Sequence, residues 1–364
     1  PLLVFWETTR ACDLACRHCR ASAISEALPG QLTNEQGKTL LDQISSFGRP
    51  SPILILTGGD VLKRTDLFDL MAYAKSKGIP VSVSPSVTPL LDEAMIDRLA
   101  AAGIDAMSLS LDDATAELHD NLRGVPGTWA RTLELGRYAV SKGIRLQINS
   151  TVMRNNVERL PALFQLVHDM GAHIWEVFFL IQTGRGKELV EADPVTNESI
   201  SHFLYSASFY GVTVRTVEGP FFRRLVAQKE AGTAAPADAM AQRLIADLEA
   251  RLGEPTHKTR SRSAGTRDGK GIVFIAHDGE VSPSGFLPVS AGNVKTQTLN
   301  EIYQHAKLFT DLRSVDSFGG VCGRCEWRDL CGGSRARAQA DSGDPLGEDP
   351  ACLYTQQARE AMTS

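Results

Sequence analysis

The chain has 364 residues, 43% of them hydrophobic and 22% charged, with a formal net charge of −5. That length allows a large core plus a smaller second unit. The acidic balance gives no reason to expect nucleic acid or a membrane surface as partner, and no apolar run reaches the roughly 18 residues of a membrane span. No signal peptide opens the sequence, so a cytoplasmic protein is expected. The start at Pro1, directly on a strand pattern, suggests that a few native residues precede it.

Residues 2–6 read as a short apolar strand. Cys12, Cys16 and Cys19 follow it as C-x3-C-x2-C. Three thiolates can hold three irons of a cubane cluster and leave the fourth iron without a protein ligand. Such an open position is what a metal needs to bind substrate. A zinc knuckle, or three merely buried cysteines, is the plainer alternative. The remaining cysteines, Cys322, Cys325, Cys331 and Cys352, gather near the other end of the chain, and none is left over. A secreted disulfide protein of this size would not cluster them so. Three plus four fits one open and one closed iron–sulfur cluster, with structural zinc a rival for the second set.

A repeating unit follows the first cysteines: an amphipathic helix, a glycine, then a β-rich run. The glycines are Gly48, Gly78, Gly103, Gly143, Gly171 and Gly211, each placed as a left-handed helix stop. The strands they introduce are 53–56, 81–83, 106–111, 146–152, 174–180 and 212–216. Leu67, Leu70, Met71 and Ala74 show the helical period, as do Met95, Ile96, Leu99 and Ala100. Thr33 with Gln36 reads as a capping box. Alternating strands and helices imply a parallel sheet with right-handed crossovers. Six βα units, from 2–6 through 174–180, are too few for a closed eight-stranded barrel. An α/β fold with a partial (βα)6 barrel is expected, with ligands at the C-terminal ends of the strands.

From about Asp193 the pattern changes. A helix over 196–210 and a short strand precede an Ala/Gly-rich stretch and a helix ending near Leu252. Residues 258–270 form a basic, Ser/Gly-rich loop, either simply solvated or a lid or clamp for an anionic substrate. Residues 272–276 and 280–282, joined by Asp278-Gly279, read as a β-hairpin. The expected units are therefore a barrel over 1–216, a helical linker with the basic loop over 217–270, and a small domain around the second cysteine set over 271–364.

Polar residues at strand ends supply the remaining site candidates. Thr57-Gly58-Gly59-Asp60 closes the second strand, and its glycines permit close approach of backbone to a ligand. Ser110 and Asp112 close the fourth strand and can meet ribose hydroxyls or an ammonium group. Arg123 suits a planar carboxylate, or else a structural ion pair. Asn149, alternating with apolar neighbours in the fifth strand, can bond a ligand or a buried backbone group.

The Cys12–Cys19 spacing resembles the signature of the radical SAM superfamily. Thr57–Asp60 is similar to that family's GGE motif, with Asp60 in place of Glu. Ser108–Asp113 resembles its SLDG stretch, with Asp113 in place of Gly. Cys322, Cys325, Cys331 and Cys352 resemble part of the SPASM/twitch pattern, with Ser284 and Arg335 where the fuller pattern has further cysteines. The stretches 6–12 and 331–337 look like the branch of haem d1 and alternative-haem enzymes, which borders the PQQ and mycofactocin maturases.

The resemblance implies two [4Fe-4S] clusters, one that binds S-adenosylmethionine (SAM) and one auxiliary. It implies that the first cluster cleaves SAM reductively and that the 5′-deoxyadenosyl radical takes hydrogen from a substrate. It assigns Thr57, Gly58, Gly59, Asp60, Ser110, Asp112, Arg123 and Asn149 to SAM, and a flavodoxin- or ferredoxin-like electron donor as partner. Cofactor or natural-product maturation by peptide modification is the first expectation for the substrate. Tetrapyrrole side-chain modification is the second, favoured by the branch and by the basic loop facing propionates. A non-enzymatic, zinc-stabilised scaffold is the third reading, and it would be colourless.

Overall fold

The first strand, β1 (Leu3–Glu7), buries Val4 and Trp6 completely and turns Leu3 and Phe5 to its other face. The computed structural model describes residues 1–255, 257–259, 261 and 265–363. The further strands are β2 (Ile53–Thr57), β3 (Val81–Val83), β4 (Ala106–Ser110), β5 (Leu146–Val152), β6 (Ile174–Phe179), β7 (Thr213–Val217), β8 (Ile272–Ile275), β9 (Glu280–Ser282) and β10 (Gly292–Asn293). Among the described residues they make one sheet in the order β10-β9-β8-β1-β2-β3-β4-β5-β6-β7. Strands β1 to β7 run parallel, each to the next, and β8 lies parallel to β1; β9 and β10 are antiparallel.

The α/β partial barrel is therefore present, and its strands fall within a residue of the positions that periodicity gave. The six glycines expected as helix stops all have φ between 71° and 95°. The Thr33–Gln36 capping box is formed. Two features extend the sheet beyond six units. Strand β7 continues it past β6, and β8 covers the other edge of β1. An uncovered β1 would present a row of unpaired amides. Residues 272–275 carry the local signal of a hairpin but none for a partner so distant in sequence. The unit expected over 271–364 thus begins inside the same sheet as the barrel.

A parallel sheet buried on both faces reads as continuous apolar runs. Here β5 alternates instead, with Leu146, Ile148, Ser150 and Val152 buried and Gln147, Asn149 and Thr151 half-buried. Strand β6 does the same: Trp175 and Val177 are buried in the core, Glu176 and Phe178 only partly. Outward residues pack beneath the helices, as Trp175 does against Phe164 and Phe203. Inward residues line an open lumen. The register sets Ser110, Asn149, Glu176 and Arg215 side by side across four strands.

Gly37 lies inside the helix Asn34–Ser45, where a Cβ would sit 2.8 Å from the Trp6 ring and 2.9 Å from Leu70 Cδ2. Helix propensity favours Ala over Gly by about 1 kcal/mol, while overpacking a core costs roughly 1–3 kcal/mol. Gly37→Ala is therefore expected to lower the midpoint of chemical denaturation. A raised midpoint would mean that the helix backs away from β1 at no cost.

Candidate active site

The cysteine loop springs from the C-terminal end of β1. A short parallel bridge joins Ala11 to Ile24 and closes its base, with the Cys12 amide donating to Ile24 O at 2.7 Å. Arg185, in the loop after β6, donates to Cys16 O at 2.8 Å and to Ala23 O at 3.1 Å. The Arg185 amide donates to Cys19 O. Cys12 and Cys16 are buried beside Leu14 and Ala23, and Cys19 packs on the same group. The fold thus brings the three thiols together.

The Thr57–Asp60 segment sits directly under this loop. A Cβ on Gly58 would lie 2.6 Å from Thr9 O, and one on Gly59 2.5 Å from Ala11 O. The Gly59 amide donates to Thr9 O and the Asp60 amide to Ala11 O, both at 2.7 Å. Thr57 O accepts from the Thr8 amide and hydroxyl. Glycine is required because two backbones meet, and the backbone they meet is the stem of the cysteine loop. The Asp60 carboxylate is fully buried and accepts from the Thr88 hydroxyl at 2.7 Å and from the amides of Leu62 and Ser86. Burial raises its pKa. Asp60 reaches the cysteines through Ser86, whose hydroxyl donates to Gly59 O and accepts from the Cys12 thiol at 3.6 Å.

Asp112 and Arg123 meet each other in a buried ion pair of 2.5 Å. Asp112 also accepts from the Thr151 amide at 2.8 Å, and Arg123 Nη1 lies 3.8 Å from Cys16 Sγ. Burial works against the Asp112 carboxylate, but the Arg123 guanidinium outweighs it and leaves the pKa lowered to about 2. Burial also lowers His18 and His119 to about 4, so the Asp112 charge is balanced by Arg123 rather than by either imidazole. Ser110 and Asn149 stand apart from this pair, adjacent on the lumen face, with Gln147 donating to Asn149 at 2.8 Å.

The second cysteine set lines one cavity together with Arg224, Trp327, Arg328 and Tyr354. Cys322 lies in the short helix Gly320–Arg324, and Cys325 caps it. The Asp349 amide donates to Cys322 Sγ, and the Trp327 amide to Cys325 Sγ. The 331–337 segment then clamps this unit over the strand ends. Arg337 donates to Leu180 O, just past β6, and to Glu218 O, just past β7, and pairs with Glu191 at 2.7 Å. Glu218 has φ 57°, and burial, reinforced by Asp268, pushes its carboxyl up to about 8. The basic loop divides. Arg267 is buried under Phe318, and Ser261 bridges to Val214 of β7, while Arg260 and residues 262–264 lie outside the described residues.

Burial raises Cys12, Cys16 and Cys322, and pushes Cys331 and Cys352 up to about 12. Thiols held this way stay protonated unless a metal takes the place of the proton. Among the described residues no three Cys, His, Asp or Glu converge tightly enough for a single ion. Both sets suit the soft-sulfur chemistry of a metal–sulfide cluster. Sequence reading did not single out Ser86 or Arg185. Their only signals are the alternation Ser82, Ser84, Ser86, Thr88 and the Gly-Arg-Gly that follows β6.

Comparison with known proteins gives this arrangement its place. Residues 6–167 match the Radical SAM superfamily, and residues 267–326 match SPASM, an iron-sulfur cluster-binding domain. The chain is 36% identical to an AdoMet-dependent heme synthase of Methanosarcina barkeri (strain Fusaro / DSM 804), over 97% of both chains. It is 34% identical to an AdoMet-dependent heme synthase of Oleidesulfovibrio alaskensis, covering 99% of this chain and 89% of that one. The PqqA peptide cyclase of Gluconobacter oxydans is 26% identical, over 97% and 90%. The solved structure of native anSMEcpe with bound AdoMet shares the fold, with a TM-score of 0.69 at 17% identity, covering 100% of this chain and 97% of that one. The chain belongs to the radical SAM superfamily. It is a radical SAM enzyme that uses SAM and a [4Fe-4S] cluster and carries a C-terminal iron–sulfur cluster-binding domain. Among the described residues no helix is long and apolar enough to cross a membrane.

The Asp112–Arg123 pair makes a measurable demand on the fold. Removing one partner of a buried pair leaves the other charge unmet, at about 3–5 kcal/mol. Asp112→Ala is expected to lose that much stability by denaturant titration, and the double variant with Arg123→Met to recover part of it. Asp112 is lowered in the folded state, so its contribution is full above the unfolded carboxyl value of about 3.9 and is lost as pH falls through about 2. Strict additivity of the two single losses would contradict the pairing.

Proposed function

We propose that this enzyme modifies a side chain of a heme-type tetrapyrrole, working in the cytoplasm with a flavodoxin- or ferredoxin-like electron donor. The observation that carries the reading is the likeness to AdoMet-dependent heme synthases over nearly the whole chain, both cysteine regions included. The lower identity to the peptide cyclase ranks peptide modification second.

In this reading Cys12, Cys16 and Cys19 hold the SAM-binding cluster, and Cys322, Cys325, Cys331 and Cys352 hold the auxiliary one. When bound, the first cluster supplies the electron that cleaves SAM to the hydrogen-abstracting 5′-deoxyadenosyl radical. The chain's own task is positioning. Thr57, Gly58, Gly59 and Asp60 fix the loop stem and Ser86, while Asp112 carries Arg123 to Cys16. Ser110, and Asn149 through its amide nitrogen, face the lumen and are taken to meet SAM. Arg337 holds the auxiliary unit across the ends of β6 and β7, at the end of the sheet where the cysteine loop leaves β1.

Reconstituted protein is expected to contain about eight irons per chain, from two four-iron clusters, and a variant with the first three cysteines changed to Ala about four. That variant should form no 5′-deoxyadenosine under dithionite; formation at the wild-type rate would reject the assignment. Zinc rather than iron at the second set would reject the auxiliary cluster. Cys352→Ala should lower product turnover strongly while uncoupled 5′-deoxyadenosine formation survives. The substrate itself is tested by anaerobic assay with SAM and a propionate-bearing iron porphyrin. A changed porphyrin mass supports the tetrapyrrole reading. No change, with a precursor peptide modified instead, would replace it by the peptide one.

A further inference from the structure

Arg215 lies on β7 with Val214 buried on its other face, so its side chain belongs to the lumen. Its register partner is Glu176, and beyond that Asn149 and Ser110. The basic groups nearest the chemistry are already engaged. Arg20 pairs with Glu7, Arg123 with Asp112, Arg337 with Glu191, and Arg185 with loop carbonyls. Among the described residues Arg215 has no hydrogen bond and no ion pair at contact distance. Its charge favours the ionised form of Glu176, its neighbour across the strands. That carboxyl accepts from Gln147 at 2.7 Å; burial raises its pKa, and the Arg215 charge and the Gln147 bond oppose the rise. Glu176 stays partly accessible on the inward face of β6.

One pleat above Glu176 on the same face stands Phe178. It meets Phe286 at 6.0 Å between ring centroids. Phe286 belongs to the stretch after β9, which also lies on the wall near β1: a Cβ at Gly285 would be 3.0 Å from Arg20 Nε and 3.1 Å from the Phe274 ring. The stretch therefore crosses from the β8 side of the sheet to β6, and both phenylalanines remain half-buried. Strand spacing and rise place the Cα atoms of Phe178 and Arg215 roughly 8 Å apart. An aromatic surface with one guanidinium that makes no hydrogen bond among the described residues, at that separation, suits a flat apolar body that carries an anionic arm.

We propose that Arg215 binds a carboxylate arm of the substrate while Phe178 and Phe286 receive the face of its ring, making the β6–β7 wall the specificity surface of the lumen. The inference rests on the tetrapyrrole reading. It adds the residues that recognise the substrate and the end of the macrocycle they take. Arg suits this place because two parallel N–H donors match one carboxylate, which an ammonium cannot reproduce.

The test is a titration of the holoenzyme, without reductant or SAM, followed by the Soret band. Iron coproporphyrin and its methyl ester serve as the two probes. Wild type should bind the acid more tightly than the ester. Arg215→Ala should weaken acid binding by about tenfold or more and leave ester binding unchanged, and Arg215→Lys should restore only part. Phe286→Ala should weaken both probes alike. Unchanged acid binding by Arg215→Ala overturns the inference and leaves the tetrapyrrole reading standing. An equal loss of acid and ester binding by that variant also overturns it, since the effect would then be structural. Failure of wild type to bind either probe overturns the tetrapyrrole reading, and the inference with it.

Discussion

Two backbones meeting at Gly58 and Gly59 set the rest of the site. The loop that carries Cys12, Cys16 and Cys19 leaves β1 with its stem pressed on the end of β2, where the amides of Gly59 and Asp60 bond Thr9 O and Ala11 O. Any side chain at either glycine would collide with a carbonyl at 2.5–2.6 Å. Backbone cannot yield as a long side chain can, so the position of the thiols follows from the strand order of β1 and β2. Asp60 extends the constraint to β3 through Thr88 and Ser86, and the Asp112–Arg123 pair extends it to β4. Four strands thus converge on one loop.

The second centre depends on a different device. Its cysteines lie on short, weakly helical segments that would not be rigid alone. Arg337 gives them a fixed place by bonding carbonyls at the ends of β6 and β7, with Glu191 and Asp349 balancing its charge. Such an ion pair gains little net energy when buried. Its value here is geometric: a planar fork that admits one orientation. Strand β8 adds the second anchor, by joining β1 in the same sheet. The cap and the barrel therefore share one framework.

Much of this was legible in the sequence because it is periodic or local. Helix stops at six glycines, the Thr33 cap and the seven strands all depend on neighbours a few residues away. The cysteine spacings were legible because metal–sulfur chemistry needs particular residue types close together. What stayed hidden depends on distant partners. Nothing near residue 272 announces β1, and nothing near Arg123 announces that Asp112 is its ion-pair partner. Asn149 was legible as a polar residue alternating with apolar neighbours, but Gln147, Glu176 and Arg215 on the same face were not, because their partners lie on neighbouring strands. The glycines of the second strand were visible as a place of close approach. That the approaching chain is the cysteine loop's own stem required the fold.

The central claim is that the two cysteine sets hold clusters of different kinds, one open to SAM and one closed. Electron paramagnetic resonance of the reduced, reconstituted protein tests it most directly. Two overlapping cluster signals are expected, of which one shifts when SAM is added and the other does not. Two signals that both stay fixed on adding SAM, or both shift, would contradict it.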